Sequence, residues 1–418
     1  MTLVAELDLE LAPPLPLAPA RPAKPAREPK ETAKPAAPAL PPKPKSARYQ
    51  SLDMWRGVAC LMLVFYHTTF YADAGWRTLH PETWSLGSLA LNLVTRLWIG
   101  VPMFFVVSGY CIAASVDSLR RKPHSLTNYF ARRFRRIYPP LWAGFAVAIA
   151  FFAVLAVAWP EMFARCLQLP ALSELSLLAW IGNLTASESW LSTVTGHEPH
   201  YLLLNTWTLC YEEQFYFVTG VLLLISARRF FTAAAVVTAI VFAVRTALTL
   251  LGVNFAGFFL DGHWLMFAMG LLVYQRINYY QGRGKWSTWA LLGAAVIYGL
   301  AMRVLCEDQT ARHLGEYIAV AGLFAIALVY LKPWDMQIAK HPLIQPLNWC
   351  GKISYSIYLT HFAVVIFVSS LLASYGVTSD GWVVLLVLPL CVAISLLCGW
   401  LFYLAVERHF INAPAATS

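Results

Sequence analysis

Charged side chains are scarce in this 418-residue chain. Lys, Arg, Asp and Glu supply 13% of its residues, against roughly a quarter in an average soluble domain. Hydrophobic residues supply 59%, and the mean hydropathy is +0.58. This composition excludes a soluble globular protein and predicts a polytopic membrane protein. The net charge of +9 does not indicate nucleic-acid binding, because Lys and Arg are concentrated in the N-terminal tail and in alternate connections between apolar segments.

Paired cysteines are also absent. The eight cysteines lie mostly in apolar segments, with no C-x-x-C pair and no metal-ligand spacing. His197 and His200, in the sequence HEPH, are interpreted as solvated loop residues rather than metal ligands, so no metal is expected. Cys166 and Cys306 fall in connections predicted on the outer side, which leaves a disulfide between them open.

The first 47 residues have almost no aromatic or β-branched side chains. Their Pro, Ala and Lys content predicts a disordered tail. They lack a basic segment followed by a continuous apolar run, so we expect no signal peptide and a cytoplasmic location for this tail. No other polar stretch is long enough for a second soluble domain. We therefore expect a membrane domain over residues 48–411 and a short cytoplasmic tail over 412–418.

Ten apolar stretches of about 17–25 residues, the length that crosses a bilayer, follow the tail. They are approximately 55–74, 97–115, 137–159, 207–226, 230–250, 257–275, 287–304, 314–331, 353–373 and 382–404. Arg and Lys are enriched in the connections after the second, fourth, sixth and eighth stretches, which the positive-inside rule places in the cytoplasm. The sequence thus predicts an all-α bundle of about ten transmembrane helices with both termini cytoplasmic. The longest outer connection runs from about 160 to 206.

Two ionisable residues lie in the first apolar stretch, WRGVACLMLVFYH. Arg56 and His67 are separated by eleven positions, which on a helix brings them to within about 20° of one face and roughly 16 Å apart along the axis. An ionisable group inside a membrane needs a partner or a wet cavity, so His67 is a candidate functional residue near mid-bilayer. The alternatives are an Arg56 that anchors at the interface and a neutral His67 bonded to a neighbouring helix.

Two adjacent carboxylates enter the membrane from the outer side in WTLCYEEQFYF. Glu212 shares a helical face with Phe215 and Tyr216, whereas Glu213 points about 100° away. A carboxylate at the depth of His67 suits a general base, in which the acid fixes the imidazole tautomer. We therefore predict that Glu212 orients His67. A polar clamp between helices is the alternative.

Basic and small polar residues mark three further segments. In FARRFRRIYPPLW, Arg133 and Arg136 share a face and form a fork suited to phosphates, with lipid headgroups as the alternative ligand. FFVVSGY places Ser108 near the cytoplasmic end of its helix, next to a glycine that permits close approach of a backbone or ligand. GKISYSIYLTH places Tyr358 and His361 along one side of a helix. For the last two segments, helix packing is an equal alternative to ligand contact.

These motifs together resemble the acyltransferase 3 family of bacterial integral-membrane O-acyltransferases. The resemblance covers about residues 48–411 in the family's order and rests on R-x10-H, FFVVSGY, RxxR before IYPPLW, WTLCYEEQFY, ISYSIYLTH and a closing ERHF at 407–410. It implies ten membrane helices and transfer of an acyl group, expected to be acetyl, from cytoplasmic acyl-CoA to a hydroxyl of a cell-envelope or exported glycan or a lipid-linked sugar. Some relatives carry an extracytoplasmic hydrolase-like domain that this sequence lacks, so we expect it to act alone or with a separate partner. The ERHF ending departs from a more usual proline-containing one.

The expected site follows from both lines of reasoning. Catalytic residues are predicted to be His67 and Glu212, acyl-CoA-binding residues to be Arg56, Arg133, Arg136 and Ser108, and substrate-binding residues to be Tyr216, Tyr358 and His361. His67 would either remove the acceptor's proton or itself carry the acyl group. The protein is expected in the bacterial cytoplasmic membrane, in contact with lipid and without nucleic acid. The competing interpretations are a proton-coupled transporter or exporter, which should show repeated halves that this sequence lacks, and a scaffold that recruits partners through its tail.

Overall fold

The protein is described by a computed structural model that covers residues 49–71, 85–120, 126–166, 172, 175–253, 255–279 and 284–411. Over these residues the chain forms helices and no β-strand, which confirms the all-α class. The predicted tails, residues 1–47 and 412–418, lie outside the described residues.

The helices follow one another closely along the chain. They are α1 (Leu52–Tyr71), α2 (Leu86–Val94), α3 (Gly100–Leu119), α4 (Leu126–Ala158), α5 (Pro160–Arg165), α6 (Leu177–Leu184), α7 (Glu188–Thr195), α8 (Trp207–Ser226), α9 (Phe230–Leu250), α10 (His263–Asn278), α11 (Gly284–Leu305), α12 (Gln309–Leu331), α13 (Asp335–Lys340), α14 (Gln345–Lys352), α15 (Ser354–Ser374), α16 (Asp380–Trp382), α17 (Leu388–Phe402) and α18 (Arg408–Ile411). Two π-helical turns, Val383–Val387 and Tyr403–Glu407, join α16, α17 and α18 into one continuous helix.

Each of the ten predicted spans overlaps one main helix, and two predicted ranges, 207–226 and 230–250, coincide with α8 and α9. Among the described residues, seven helical stretches are long and apolar enough to cross a membrane. The other three spans correspond to α1, α8 and α10. Arg56 and His67 lower the hydropathy of α1, two glutamates lower that of α8, and α10 has only 16 residues. The chain is therefore a multi-pass membrane protein, and the number of ten crossings remains a prediction.

The helices differ in how deeply they are buried in the bundle. Most of α10, from Trp264 to Tyr274, is buried. In α9 and α11, by contrast, fewer than a quarter of the residues in the most apolar window are buried, and large side chains such as Leu250 and Leu305 are exposed. Outer helices whose exposed faces are apolar can meet lipid, while the inner helices keep their ionisable groups away from it.

Close packing of α3 against α10 depends on glycine. A Cβ atom added at Gly109 would overlap the carbonyl oxygen of Phe267, and one added at Gly270 would overlap that of Val106. Gly109 belongs to the FFVVSGY motif, and the structure shows that its partner is a helix backbone rather than an open space. Small residues let two membrane helices approach closely enough for their backbones to touch.

The connection between α4 and α8, predicted as the longest on the outer side, contains short helices. Helices α5, α6 and α7 lie within it, and the fully buried Glu188 accepts hydrogen bonds from the backbone N–H of His200 at 2.8 Å and lies 3.1 Å from Nε2 of His197. His197 is thus held by a buried carboxylate, and its interpretation as a solvated loop residue was wrong. All eight cysteines are free thiols, so Cys166 and Cys306 form no disulfide.

Candidate active site

A cavity of about 160 Å³ lies between α1, α3, α4, α8 and α15. Seven of the nine predicted site residues line it, namely Arg56, Ser108, Arg133, Arg136, Glu212, Tyr216 and Tyr358. Apolar side chains such as Leu63, Phe104 and Phe105 complete its wall. The cavity therefore brings together residues from five helices that are far apart in sequence.

Three arginines converge at one end of this cavity. Arg56 lies in the first turns of α1, and Arg133 and Arg136 are one turn apart on α4, which begins at Leu126 and so includes the whole basic segment. Arg133 donates to Ser115 Oγ at 3.3 Å, and its guanidinium lies 4.6 Å from the ring centroid of Tyr216. None of the three arginines forms an ion pair with a carboxylate of the described residues. Several guanidinium groups that converge on a cavity without a direct ion pair favour an anionic ligand.

Glu212 is held by two hydroxyl groups in the cavity wall. Ser108 Oγ and Tyr216 OH both donate to its Oε1 atom. Because Arg133 stacks on the Tyr216 ring, the carboxylate is linked to the basic end through an aromatic side chain. Glu213 lies apart from this group, where its Oε2 accepts from Tyr138 OH at 3.2 Å. The two adjacent glutamates therefore have different partners, as their 100° separation predicted.

The partner found for His67 is His361 rather than Glu212. His67 Nδ1 lies 2.9 Å from His361 Nε2, and the two rings stack with centroids 5.2 Å apart. His361 Nδ1 lies 2.9 Å from the carbonyl oxygen of Ile357. A carbonyl only accepts, so His361 Nδ1 carries the proton of its neutral ring and Nε2 is an acceptor. His67 Nδ1 must then donate, which places the lone pair of neutral His67 on Nε2.

The histidine pair lies just past the end of the cavity opposite the arginines. Leu63 lines the cavity one helical turn before His67 on α1, and Tyr358 lines it one turn before His361 on α15. The Tyr358 and His361 ring centroids are 6.5 Å apart. Tyr358 is itself fixed, because its OH donates to the carbonyl oxygen of Asn205 at 2.8 Å. A ligand that enters at the arginines and follows the cavity thus ends beside an imidazole.

Sequence reasoning missed Glu407, in the ERHF ending. This carboxylate is 2% exposed, and its Oε2 accepts from both the backbone N–H, at 3.0 Å, and the hydroxyl of Ser356. Ser356 is the third residue of α15, where backbone N–H groups have no partner within the helix. Glu407 therefore caps the helix that carries Tyr358 and His361. The sequence signal that could have identified it is an acidic residue directly after a long apolar segment.

The fold defines an integral-membrane helical protein, whose internal cavity has arginines at one end and a histidine pair just past the other. The model of the acyltransferase 3 family, described as an acyltransferase domain, matches residues 49–404. The chain therefore belongs to the acyltransferase 3 family, and it is an integral-membrane acyltransferase.

Curated relatives agree with this assignment. The chain is 26% identical over 386 residues to a protein of Komagataeibacter xylinus named as a membrane-bound transacylase, BcsY, a match that covers 89% of this chain and 86% of that one. It is 24% identical to O-acetyltransferase OatA of Staphylococcus aureus, over 78% of this chain and 52% of the relative. It is 23% identical to peptidoglycan O-acetyltransferase OatA of Listeria monocytogenes, over 75% and 49%. The chain spans about half the length of the OatA proteins, and no solved structure matches it.

Proposed function

We propose that the protein is an O-acetyltransferase that moves an acetyl group from acetyl-CoA, bound from the cytoplasm, to a hydroxyl of a cell-envelope or exported glycan. The observation that carries this proposal is a cavity that runs from three arginines towards the His67–His361 pair. Acyl-CoA has the matching shape, because a highly charged nucleotide end is followed by a long thin arm that ends in the thioester.

The basic end would bind the nucleotide. Arg136 is exposed, whereas Arg56 and Arg133 are partly buried at the cavity wall. Phosphates held by Arg136 at the surface and by Arg133 behind it would keep the charges of the donor out of the bundle. The positive-inside rule favours this end as the cytoplasmic one, with both termini on the same side in a bacterial cytoplasmic membrane. Lipid would contact the exposed apolar faces of α9 and α11.

His67 is proposed as the general base. Its Nε2 lone pair removes the proton from the acceptor hydroxyl as that oxygen attacks the thioester carbonyl carbon. The C–S bond then breaks, and the proton on His67 passes to the departing CoA thiolate. His361 stabilises the imidazolium by accepting from His67 Nδ1. General-base assistance contributes roughly 10²–10⁴ in rate. Attack by the same Nε2 on the thioester carbonyl would instead expel the CoA thiolate and give an acyl-histidine, from which the acceptor hydroxyl takes the acyl group as its proton passes to the thiolate.

Glu212 receives a different proposed role from the one its sequence position suggested. Since its carboxylate accepts from Ser108 and Tyr216 and lines the cavity, we assign it to positioning of the donor arm, whose amide N–H groups need acceptors. Ser108 and Tyr216 would hold this carboxylate in place, and Tyr358 would contact the arm near the thioester.

The acceptor class is proposed from the relatives, one of which is named as a peptidoglycan O-acetyltransferase. A glycan acceptor would approach from the side of the membrane opposite the nucleotide. A proton-coupled transporter could also use an intramembrane histidine. Membership of an acyltransferase family does not favour the transporter interpretation.

Proteoliposomes that contain the full chain test this proposal with acetyl-labelled acetyl-CoA and the producing cell's envelope glycans. We expect the label to appear covalently on the glycan. His67→Gln should abolish this transfer and retain acetyl-CoA binding. Uptake of a solute without covalent labelling, or transfer by His67→Gln at the wild-type rate, would overturn the proposal.

A further inference from the structure

A second cavity, of about 430 Å³, lies next to His67 on the side away from the first cavity. Tyr66, Trp98, Arg245, Asp261, His263 and Tyr317 are among its lining residues. Tyr66 immediately precedes His67, and their ring centroids are 5.5 Å apart. Phe105, which lines the first cavity, lies with its ring centroid 6.2 Å from that of His263. One aromatic layer therefore separates the two cavities.

The second cavity opens to the surface between α9 and α12. Ala256, Gln309, Thr310 and His313 line it and are exposed. They lie in the connection that follows α9 and in the first turns of α12, which the predicted topology places on the outer side. A molecule in the outer compartment could therefore enter the cavity without passing the arginines of the first one.

Arg245 is an unusual group for this position. It is 3% exposed, and no hydrogen bond to its Nε atom and no ion pair to its guanidinium is found in the described part of the chain. A buried charge without a counter-charge is costly, and such groups are normally paired. Inside a membrane domain, an arginine of this kind indicates a water-filled ligand path.

The nearby carboxylate does not compensate Arg245. Asp261 Oδ1 lies 2.8 Å from His263 Nδ1 and accepts from the His263 backbone N–H at 3.1 Å. Its Oδ2 accepts from Tyr211 OH and from the backbone N–H of Gly257 at 3.0 Å. Both oxygens of Asp261 are thus committed to other partners. The positive charge of Arg245 is therefore available to a ligand in this cavity.

The remaining wall suits a sugar ring. Trp98 and Tyr317 stack with ring centroids 5.0 Å apart, and Tyr66 and Phe255 add further aromatic surface. Flat aromatic faces pack against the apolar C–H faces of sugars, while His263, Gln309 and Thr310 offer hydrogen-bonding groups. The volume also lies within the range of about 300–1,000 Å³ typical of small-molecule sites.

We propose that this cavity binds the acyl acceptor and that the acceptor is an anionic glycan, whose carboxylate or phosphate group is bound by Arg245. The inference rests on the proposed acetyl transfer, because it assigns the cavity to the acceptor of that reaction. In this arrangement the donor thioester and the acceptor hydroxyl approach the His67 region from opposite sides of the Phe105 layer.

Binding of defined probes to the full-length protein in lipid nanodiscs, without acetyl-CoA, tests the site. The probes are digalacturonate for a carboxylate, glucose 1-phosphate for a phosphate and maltose as the neutral control. We expect one anionic probe to bind roughly tenfold or more tightly than maltose, as a charge-assisted hydrogen bond to a buried arginine would require. The preferred anion then identifies the source of the charge.

Four variants test the role of Arg245. Arg245→Gln should abolish the preference for the anionic probe, and Arg245→Lys should keep part of it. Arg303→Gln is the matched control, since Arg303 is paired with Glu316 and does not line the cavity. If Arg245→Gln does not fold, Thr310→Trp narrows the exposed mouth without touching the buried network and should weaken binding of the anionic probe. Absence of binding by both anions, or equal binding by wild type and Arg245→Gln, would overturn the site.

Acetyl transfer is measured separately on the same preparation. The wild-type protein and Arg245→Gln are compared. If both transfer acetyl and bind the acceptor equally well, only the assignment of this cavity is refuted. Absence of transfer by the wild-type protein would instead refute the proposed function.

Discussion

His67 Nδ1 and His361 Nε2 lie within hydrogen-bonding distance, at 2.9 Å, although 294 positions separate them in the chain. Because His361 is in turn fixed by the Ile357 carbonyl oxygen, the pair has a defined direction of hydrogen bonding. That direction leaves the basic nitrogen of His67 at Nε2. The pairing is thus more than a packing contact between α1 and α15, since it determines which atom of His67 can accept a proton.

Replacement of His361 tests this relationship. We expect His361→Phe to lower kcat for acetyl transfer by about 10- to 100-fold, because His67 loses the acceptor that fixes its tautomer and stabilises its charged form. KM for acetyl-CoA should change little. His361→Gln, whose side-chain oxygen can accept, should recover part of the rate. Exposed His341 provides the matched control as His341→Gln, and a similar loss of kcat there would argue against a specific role.

The arginine cluster allows a test with neighbours on the same helix. Arg133→Gln with Arg136→Gln should raise KM for acetyl-CoA by roughly tenfold or more, since two charge-assisted contacts to phosphate are removed. The matched control is Arg132→Gln with Arg135→Gln, because these exposed side chains do not line the cavity and Arg135 donates to the His409 carbonyl oxygen at 3.1 Å. The KM for acetyl-CoA in acetyl transfer is measured for both double variants. Equal KM values for the two double variants would reassign Arg133 and Arg136 to lipid contact.

Glu212→Gln separates a positioning role from a direct catalytic one. If Glu212 holds the donor arm, the amide should raise KM for acetyl-CoA several-fold and leave kcat within about tenfold of wild type, because an oxygen acceptor for Ser108 and Tyr216 remains. Direct orientation of His67 by Glu212 would instead predict a loss of kcat close to that of His67→Gln. Glu213→Gln, on the other face of α8, should leave KM unchanged.

Much of the fold follows from sequence because apolar run length reports the thickness of the bilayer. The predicted 207–226 and 230–250 match α8 and α9 for this reason. The same signal gave a start at 137 for the third span, whereas α4 begins at Leu126. Hydropathy records where the membrane begins, and the basic segment before it continues the helix into the aqueous boundary.

The sequence predicted which residues line the site better than it predicted which of them contact each other. Helical periodicity gives the face and depth of a residue, and this was enough to group Arg56 with Arg133 and Arg136. Helical periodicity does not show which helices pack against each other. Glu212 and His361 both reach the approximate depth of His67, and only the packing of α1 against α15 decides between them. Glu407 was missed for the same reason, since its partner Ser356 is 51 positions away.

The cap that Glu407 provides predicts an effect on stability. Glu407→Ala leaves the backbone N–H and hydroxyl of Ser356, a fully buried residue, without their acceptor. Loss of one partner from a buried hydrogen bond costs about 1–3 kcal/mol, so we expect a lower midpoint of thermal unfolding, measured by size exclusion after heating in detergent. Glu407→Gln should recover most of the loss, because its amide oxygen can accept both bonds at the start of α15. Glu307→Ala, at an exposed acid, is the control. Equal destabilisation by the alanine and glutamine variants at 407 would show that negative charge, rather than the hydrogen-bond acceptor, holds this helix end.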